Sequence, residues 1–135
     1  MPKKTTSPAQ TGGARNESEH ALCKKTLEGL KELGSDMGAS FFPQLLETFE
    51  HDAIEHLAVL RSAIAGGETA RLRGEAHALK GASLTIGAQG MAHICQQLEN
   101  SGTEENMEGA PEALARLDLE FDRVKNEIEL ESVIL

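Results

Sequence analysis

Apolar residues recur at every third or fourth position along most of the chain, and no useful length alternates apolar with polar residues. This spacing marks one face of an α-helix, whereas a half-buried strand needs a period of two. With four Phe and neither Trp nor Tyr, the composition also suits helices better than sheets. The sequence therefore predicts an all-α protein, and its 135 residues leave room for one domain.

The pattern predicts five helices, and glycine or proline marks several of their ends. They cover residues 17–33, 37–65, 68–86, 88–101 and 111–131. Gly34 follows the first helix, Gly66 and Gly67 follow the second, and Pro111 opens the last. Because the connections are short, consecutive helices should lie antiparallel. We expect an antiparallel up-and-down four-helix bundle with an additional N-terminal helix.

Residues 1–16 differ in composition from the rest of the chain. They are rich in Ser, Thr, Gly, Pro and Lys and have no large apolar side chain after Met1. We expect a flexible tail or linker there, followed by a helical bundle over 17–135. The net charge is −9, and the three basic residues of 1–16 leave −12 for the remainder. Such a surface repels a phosphate backbone, which argues against nucleic acid as a partner.

Two further features bear on where the protein works. The chain shows no secretory signal and no apolar run long enough to span a membrane. Its two cysteines, Cys23 and Cys95, both fall within apolar helical patterns. We expect both thiols to be buried and reduced. The prediction is a cytoplasmic monomer that makes no membrane contact through this domain.

The third predicted helix has two chemically different sides. On a helical wheel, one narrow stripe faces the core and is formed by Leu72, Ala76, Leu79, Ser83 and Ile86. His77 falls on the opposite side, so its ring is expected to face solvent. A neutral ring nitrogen in that position is available as a nucleophile.

Cations and glycines surround His77 on the exposed side. Arg73 lies one turn before the histidine and Lys80 one turn after it, and both could stabilise a phosphoryl group on the ring. Gly74 and Gly81 each cost the helix about 1 kcal/mol relative to alanine, and core packing cannot explain them on this side. We interpret the two glycines as space for another protein to approach.

One apolar side chain lies on the same side of the helix. Leu84 is one turn beyond Gly81, and we interpret it as an anchor of the docking surface. An isolated exposed leucine is also common on protein surfaces without any function. Both interpretations of Leu84 are open at the level of the sequence.

At these residues the sequence resembles a known family. The run A-H-A-L-K-G-A-S-L-T-I-G-A at 76–88, followed by C-Q-Q-L-E at 95–99, is similar to the histidine-containing phosphotransfer (HPt) domain of multistep two-component relays. The segment D-M-G-A-S-F-F-P-Q-L-L-E-T-F at 36–49 resembles the region before that motif in bacterial members, such as those of hybrid sensor kinases. The resemblance covers roughly 20–130 and implies a four-helix bundle whose extra N-terminal helix covers one end.

The resemblance also implies a function. His77 would accept a phosphoryl group from the aspartyl phosphate of one receiver domain and pass it to the aspartate of another, within response regulators or hybrid sensor kinases. Lys80 would be the cation beside the phosphoryl group, and Gly81 would let the receiver approach. Three other residues match motif positions that we interpret as helix packing: Leu79, Ser83 and Gly87. The chain itself would be free-standing in the cytoplasm or the C-terminal module of a membrane-bound sensor kinase.

The expected role is that of a phosphocarrier and not an enzyme. The sequence has no glycine-rich nucleotide loop and no acidic cluster near His77. We therefore expect no cofactor and no metal on this chain. The Mg²⁺ ion that phosphoryl transfer requires is expected on the partner receiver domain.

Two other functions fit a helical bundle. A di-metal carboxylate site would use E-x-x-H motifs on facing helices, but only Glu17 and His20 have that spacing. The other histidines are explained by solvated helix pairs (His51–Glu55 and Asp52–His56) or by a place beside the apolar stripe of the fourth helix (His93). A helical adaptor that binds a partner through its acidic surface also fits this architecture, but it does not account for the glycines around His77.

Overall fold

The computed structural model describes residues 21–134, with side chains described as far as residue 131. The predicted tail at 1–16 and the start of the first predicted helix at 17–20 lie outside this range. Within it, the helices are α1 (Lys24–Met37), α2 (Phe41–Gly66), α3 (Thr69–Thr85), α4 (Gln89–Thr103) and α5 (Ala110–Ile134). The described residues contain no strand, and the all-α prediction is confirmed.

Helices α2 to α5 form the bundle. Each of them packs against the next, and α5 returns to pack against α2, while α1 packs against α2 from outside this ring. The up-and-down four-helix bundle with an additional N-terminal helix is therefore confirmed. Among the described residues, no helix has the length and apolar character that crossing a membrane requires.

The core stripe predicted for α3 is buried in full. Its members are each at most 1% exposed: Leu72, Ala76, Leu79, Ser83 and Ile86. Burying a leucine side chain contributes roughly 1.5–3 kcal/mol, so this stripe fixes the rotation of α3 about its axis. The predicted stripe of α5 is buried as well, at Leu114, Leu117, Phe121, Val124 and Ile128.

The end of the first helix differs from the prediction. Helix α1 continues through Gly34 to Met37, and the residue that ends it is Gly38, with φ of 114°. Gly34 is buried where α1 meets the start of α2, and a Cβ there would lie 3.5 Å from the Phe41 ring. The prediction was wrong because Gly34 serves close helix packing, whereas Gly38 adopts the positive φ that favours glycine.

The beginning of the first helix also differs from the prediction. Residues 21–23 are described and are not helical. The N–H of Leu22 donates to Glu127 Oε1 on α5 at 3.0 Å, and the N–H of Cys23 donates to the Gly87 carbonyl at 2.8 Å. Cys23 has extended backbone, and the N–H groups of Leu22 and Cys23 are held by these tertiary partners, so α1 starts only at Lys24.

Gly87 therefore has a packing role, but it acts from the loop between α3 and α4. Its φ is +82°, and a Cβ at this position would lie 2.9 Å from the Cβ of Thr26 in α1 and 3.0 Å from the Cβ of Cys23 just before α1. Both the backbone conformation and the close approach of the segment before α1 require glycine.

The two cysteines form no disulfide. Cys95 is buried in α4, whereas Cys23 is only half-buried.

Candidate functional site

His77 lies in the middle of α3 on the side away from the core stripe. Its side chain is 69% exposed, as the helical wheel predicts. Leu79 two residues later is 0% exposed, so the two sides of the helix have opposite environments. Because the buried stripe fixes the rotation of α3, the exposure of His77 follows from the core packing.

A carboxylate from the neighbouring helix contacts this histidine. Glu99 of α4 has one oxygen, Oε2, at 3.1 Å from His77 Nδ1 and the other, Oε1, at 2.8 Å from Lys80 Nζ. Gln96, one turn earlier on α4, accepts a second hydrogen bond from Lys80 Nζ at 2.8 Å. The structure thus joins His77 and Lys80 through a shared carboxylate that comes from a different helix.

Close packing of α3 against α4 makes these contacts possible. A Cβ on Gly102 would lie 2.6 Å from the Thr69 carbonyl and 2.8 Å from the Cβ of Arg73. Any larger residue at Gly102 would push the start of α3 away from the end of α4. The glycine therefore lets the two helices approach closely enough for Glu99 to reach His77.

The electrostatics of this pair of helices favour a charged carboxylate. The hydrogen bond from Lys80 lowers the pKa of the Glu99 carboxyl, the hydrogen bond with His77 lowers it further, and partial burial opposes both. Beneath Glu99, burial raises the pKa of the Cys95 thiol to about 12. Glu99 is therefore ionised at neutral pH while the neighbouring thiol is neutral.

The shared carboxylate decides which ring nitrogen of His77 carries the proton. An ionised carboxylate only accepts hydrogen bonds, so His77 Nδ1 must carry the proton and donate a hydrogen bond to Glu99. In the neutral ring, Nε2 then holds the lone pair. The arrangement supplies an exposed imidazole whose Nε2 is available to an electrophile.

Bare backbone flanks the histidine on both sides. A Cβ added at Gly74 or at Gly81 would meet nothing within 4 Å, so both glycines border open space. Leu84, one turn further along α3, is 54% exposed. Arg73 is exposed as well, although its backbone is close to Gly102.

Sequence reasoning brought His77 and Lys80 together but missed Glu99 and Gln96. The wheel considers one helix at a time, so it contains no information about side chains that arrive from α4. The only available signal was the C-Q-Q-L-E run at 95–99, which the family resemblance includes without a role for the glutamate. No pattern within α3 could have identified the partner of the ring.

The other histidines occupy less distinctive positions. His51 pairs with Glu55 at 3.3 Å on α2, as predicted. The predicted Asp52–His56 pair is wrong, because His56 Nδ1 instead contacts Glu75 of α3, and both side chains are about three-quarters buried. Packing between helices brings Glu75 to this ring. His93 is exposed on α4, and Glu17 and His20 lie outside the described residues.

Side chains with the chemistry of metal ligands also meet at one place on α2. His51, Asp52 and Glu55 have ligand atoms within 4.8 Å of one another, and all three are exposed. They lie on a single helix, and within the described part of the chain the facing helix that a di-metal carboxylate bundle would use contributes no ligand to this group.

The chain was compared with known families and curated proteins. The family model described as the Hpt domain matches residues 44–127, which is more than half of the chain. Histidine-containing phosphotransfer protein 2 of Arabidopsis thaliana is 24% identical over 103 residues, or 74% of this chain. The match spans 66% of that plant protein, just under two thirds of its length.

Solved structures give the same result. Histidine-containing phosphotransfer protein B from Pseudomonas aeruginosa PAO1 is 31% identical in sequence to this chain, and its crystal structure matches with a TM-score of 0.79. The match covers 85% of this chain and 96% of that one. A histidine-containing phosphotransfer protein from maize has a TM-score of 0.77 and 20% identity, over 90% of this chain and 97% of its own. At that identity, the maize protein supports the fold alone.

Proposed function

The chain belongs to the Hpt domain family, and from that premise we propose that His77 carries phosphoryl groups between receiver domains in a two-component phosphorelay. One observation carries this assignment. The His77 ring is 69% exposed, and its Nδ1 is engaged by Glu99, which leaves Nε2 as the free nucleophile. The protein acts as a phosphocarrier.

The transfer is a displacement at phosphorus. The Nε2 lone pair of His77 forms a bond to the phosphorus of an aspartyl phosphate, and the bond from phosphorus to the aspartate oxygen breaks. The aspartate leaves as a carboxylate, and the phosphoryl group stays on Nε2. In the second transfer, a carboxylate of another receiver attacks this phosphorus, and the P–N bond breaks to regenerate His77.

Most of the transition-state stabilisation is assigned to the receiver. Phosphoryl transfer depends on positioning and on charge neutralisation by Mg²⁺, which the receiver would hold next to its aspartate. This chain contributes an oriented nucleophile and nearby positive charge from Arg73 and Lys80. The Lys80 ammonium donates hydrogen bonds to Glu99 and Gln96, so in the free protein it is directed to side chains of α4.

The receiver is proposed to dock over the exposed side of α3. The open space at Gly74 and Gly81 lets its backbone or side chains come close to His77. Leu84, which is 54% exposed, supplies an apolar contact at the edge of this surface. We further propose that the protein is a cytoplasmic monomer. Its formal net charge of −9 disfavours contact between copies, which supports the monomeric state.

The test is transfer of a radioactive label. A receiver domain phosphorylated with ³²P at its aspartate is mixed with the purified chain in the presence of Mg²⁺. Label should move to the wild type and should be acid-labile and base-stable, as a phosphoramidate is. The His77→Gln protein should take up none, and label on that variant would refute the assignment of His77.

A further inference from the structure

The Lys80 ammonium already donates hydrogen bonds to two side chains of α4, unlike a cation that is free to bind a phosphoryl group. Its ammonium donates to Glu99 Oε1 and to Gln96 Oε1, both at 2.8 Å, and its side chain is only 21% exposed. Two of the three N–H groups of the Lys80 ammonium are therefore used on side chains of α4, which leaves at most one for a phosphoryl group on Nε2 of His77. In the described structure, Lys80 contacts Glu99, which lies on the Nδ1 side of the His77 ring.

The proposed role of Glu99 requires both a fixed orientation and a compensated negative charge. It must keep a fixed orientation in order to hold the His77 ring, yet its negative charge would repel an incoming phosphoryl group. Lys80 meets both needs, because it anchors the second carboxylate oxygen and offsets the charge. Gln96 holds Lys80 in place and also donates from Nε2 to Asn100 Oδ1 at 2.9 Å.

We propose that Lys80 and Gln96 are positioning residues that act on His77 through Glu99, and that the chain Gln96–Lys80–Glu99–His77 holds the ring with Nε2 unprotonated. This inference deepens the proposed function and rests on it for its effect on rate. Its effect on the ring does not depend on any partner, because the four side chains belong to this chain.

The chain Gln96–Lys80–Glu99–His77 makes a specific prediction about non-additivity. If Lys80 works through Glu99, then removing its charge matters only while Glu99 carries a charge. Lys80→Met should slow transfer by about tenfold to a hundredfold, by analogy with the range for groups that orient the histidine ligands of metal sites. In a Glu99→Gln background, the same substitution should change the rate by less than about twofold.

The first experiment is a double-mutant cycle on the transfer rate. Wild type, Lys80→Met, Glu99→Gln and the double variant are each mixed with the same phosphorylated receiver. Equal effects of Lys80→Met in both backgrounds would show direct action on the phosphoryl group and overturn the proposal. Lys125→Met is the matched control, because Lys125 forms a surface pair with Asp122 at 3.4 Å on α5, and it should leave the rate unchanged.

The second experiment reads the ring itself in the unphosphorylated protein. The ¹⁵N shifts of the His77 imidazole, recorded where the ring is neutral, distinguish the two tautomers. The wild type should be mainly the Nδ1–H form. Glu99→Gln should give a mixture, because an amide can also donate to Nδ1, and Lys80→Met should shift the ratio in the same direction. A purely structural role for Lys80 would leave this ratio unmoved.

The outcomes separate this inference from the proposed function. Transfer to the His77→Gln protein would remove the proposed function. Loss of transfer in His77→Gln together with an additive cycle would overturn only the positioning chain. A wild-type ring mainly in the Nε2–H form would overturn the positioning chain and the choice of Nε2 as the nucleophile, while His77 would still be the phosphorylated residue. Circular dichroism melts of each variant confirm that the proteins compared are folded.

Discussion

Two pairs of neighbouring helices in this bundle are joined by a histidine and a glutamate, and only one of them has the properties of a functional site. Between α2 and α3, His56 Nδ1 contacts Glu75, and the two side chains are 25% and 24% exposed. Between α3 and α4, His77 Nδ1 contacts Glu99, and the histidine is 69% exposed while the glutamate is 20% exposed. The same pair of residue types is thus enclosed in one place and open in the other.

The difference shows that a histidine–glutamate pair is not in itself a site. Glu75 is paired with His56, whereas Glu99 has a second partner in Lys80. The His77 ring also has open backbone beside it, at Gly74 and Gly81. Access to the free ring nitrogen and a cation on the carboxylate are the features that distinguish the α3–α4 pair.

The largest expected effect compares the two histidines. His77→Gln should abolish phosphotransfer, because it removes the nucleophile. His56→Gln should keep transfer within about twofold of wild type, since His56 pairs with Glu75 between α2 and α3 and not with Glu99 between α3 and α4. Both rates are measured with the same phosphorylated receiver. If His56→Gln proved as inactive as His77→Gln while still folded, the functional distinction between the two pairs would be wrong.

The second expected effect compares two exposed helical glycines. Gly81→Gln should slow transfer by about tenfold or more, because a side chain beside His77 keeps the receiver from its close approach. Gly29→Gln on α1 is the matched control, since a Cβ there also meets nothing within 4 Å. Both variants should be about 0.5–1 kcal/mol more stable than wild type in urea unfolding, because glycine weakens helices. Equal transfer rates for the two variants would contradict the docking surface.

The third effect concerns stability and involves the enclosed pair. Glu75→Gln should lower the free energy of unfolding by about 1–3 kcal/mol, because it weakens the hydrogen bond to His56 where both side chains are about three-quarters buried. Glu55→Gln is the control, since its pair with His51 is about 70% exposed on both sides and should be worth under about 0.5 kcal/mol. Urea unfolding measures both, and similar losses would show that burial does not distinguish the two pairs.

The smallest expected effect is a pH dependence that belongs to Glu99. Its folded-state pKa lies below the ordinary value of 4.5, so its contribution to stability is present above that pH and is lost as the pH falls through the folded pKa. Since the group is near the surface, we expect under about 1 kcal/mol. Between about pH 6 and pH 3, the wild type should lose slightly more stability than Glu99→Gln. Parallel losses in the two proteins would contradict this role.

The sequence was sufficient for features that depend on one helix at a time. Leu72, Leu79 and Ile86 repeat at helical spacing, so the core side of α3 and the exposure of His77 could both be predicted. The ends of α1 could not, because Gly34 and Gly38 are equally plausible stops until the packing against α2 is known. The choice between them depends on a contact with Phe41 that the local sequence does not contain.

Features that depend on two helices were missed or wrong for the same reason. Asp52 lies at the right spacing for His56 on α2, yet the structure pairs His56 with Glu75. Glu99 is separated from His77 by a loop and most of α4, so its position depends on how closely the helices pack. Helical spacing predicts neighbours on one helix, and partners across helices require the three-dimensional fold.

The close approach of α3 and α4 at Gly102 has a consequence for how signalling responds to heat or mutation. The imidazole and the carboxylate that orients it come from different helices, so a separated α3 would have the nucleophile without its orientation. Any change that loosens the two helices would lower the phosphate flux through the protein before it unfolds the bundle. The output of the relay would then report on the tightness of one helix pair, and not only on the amount of protein present.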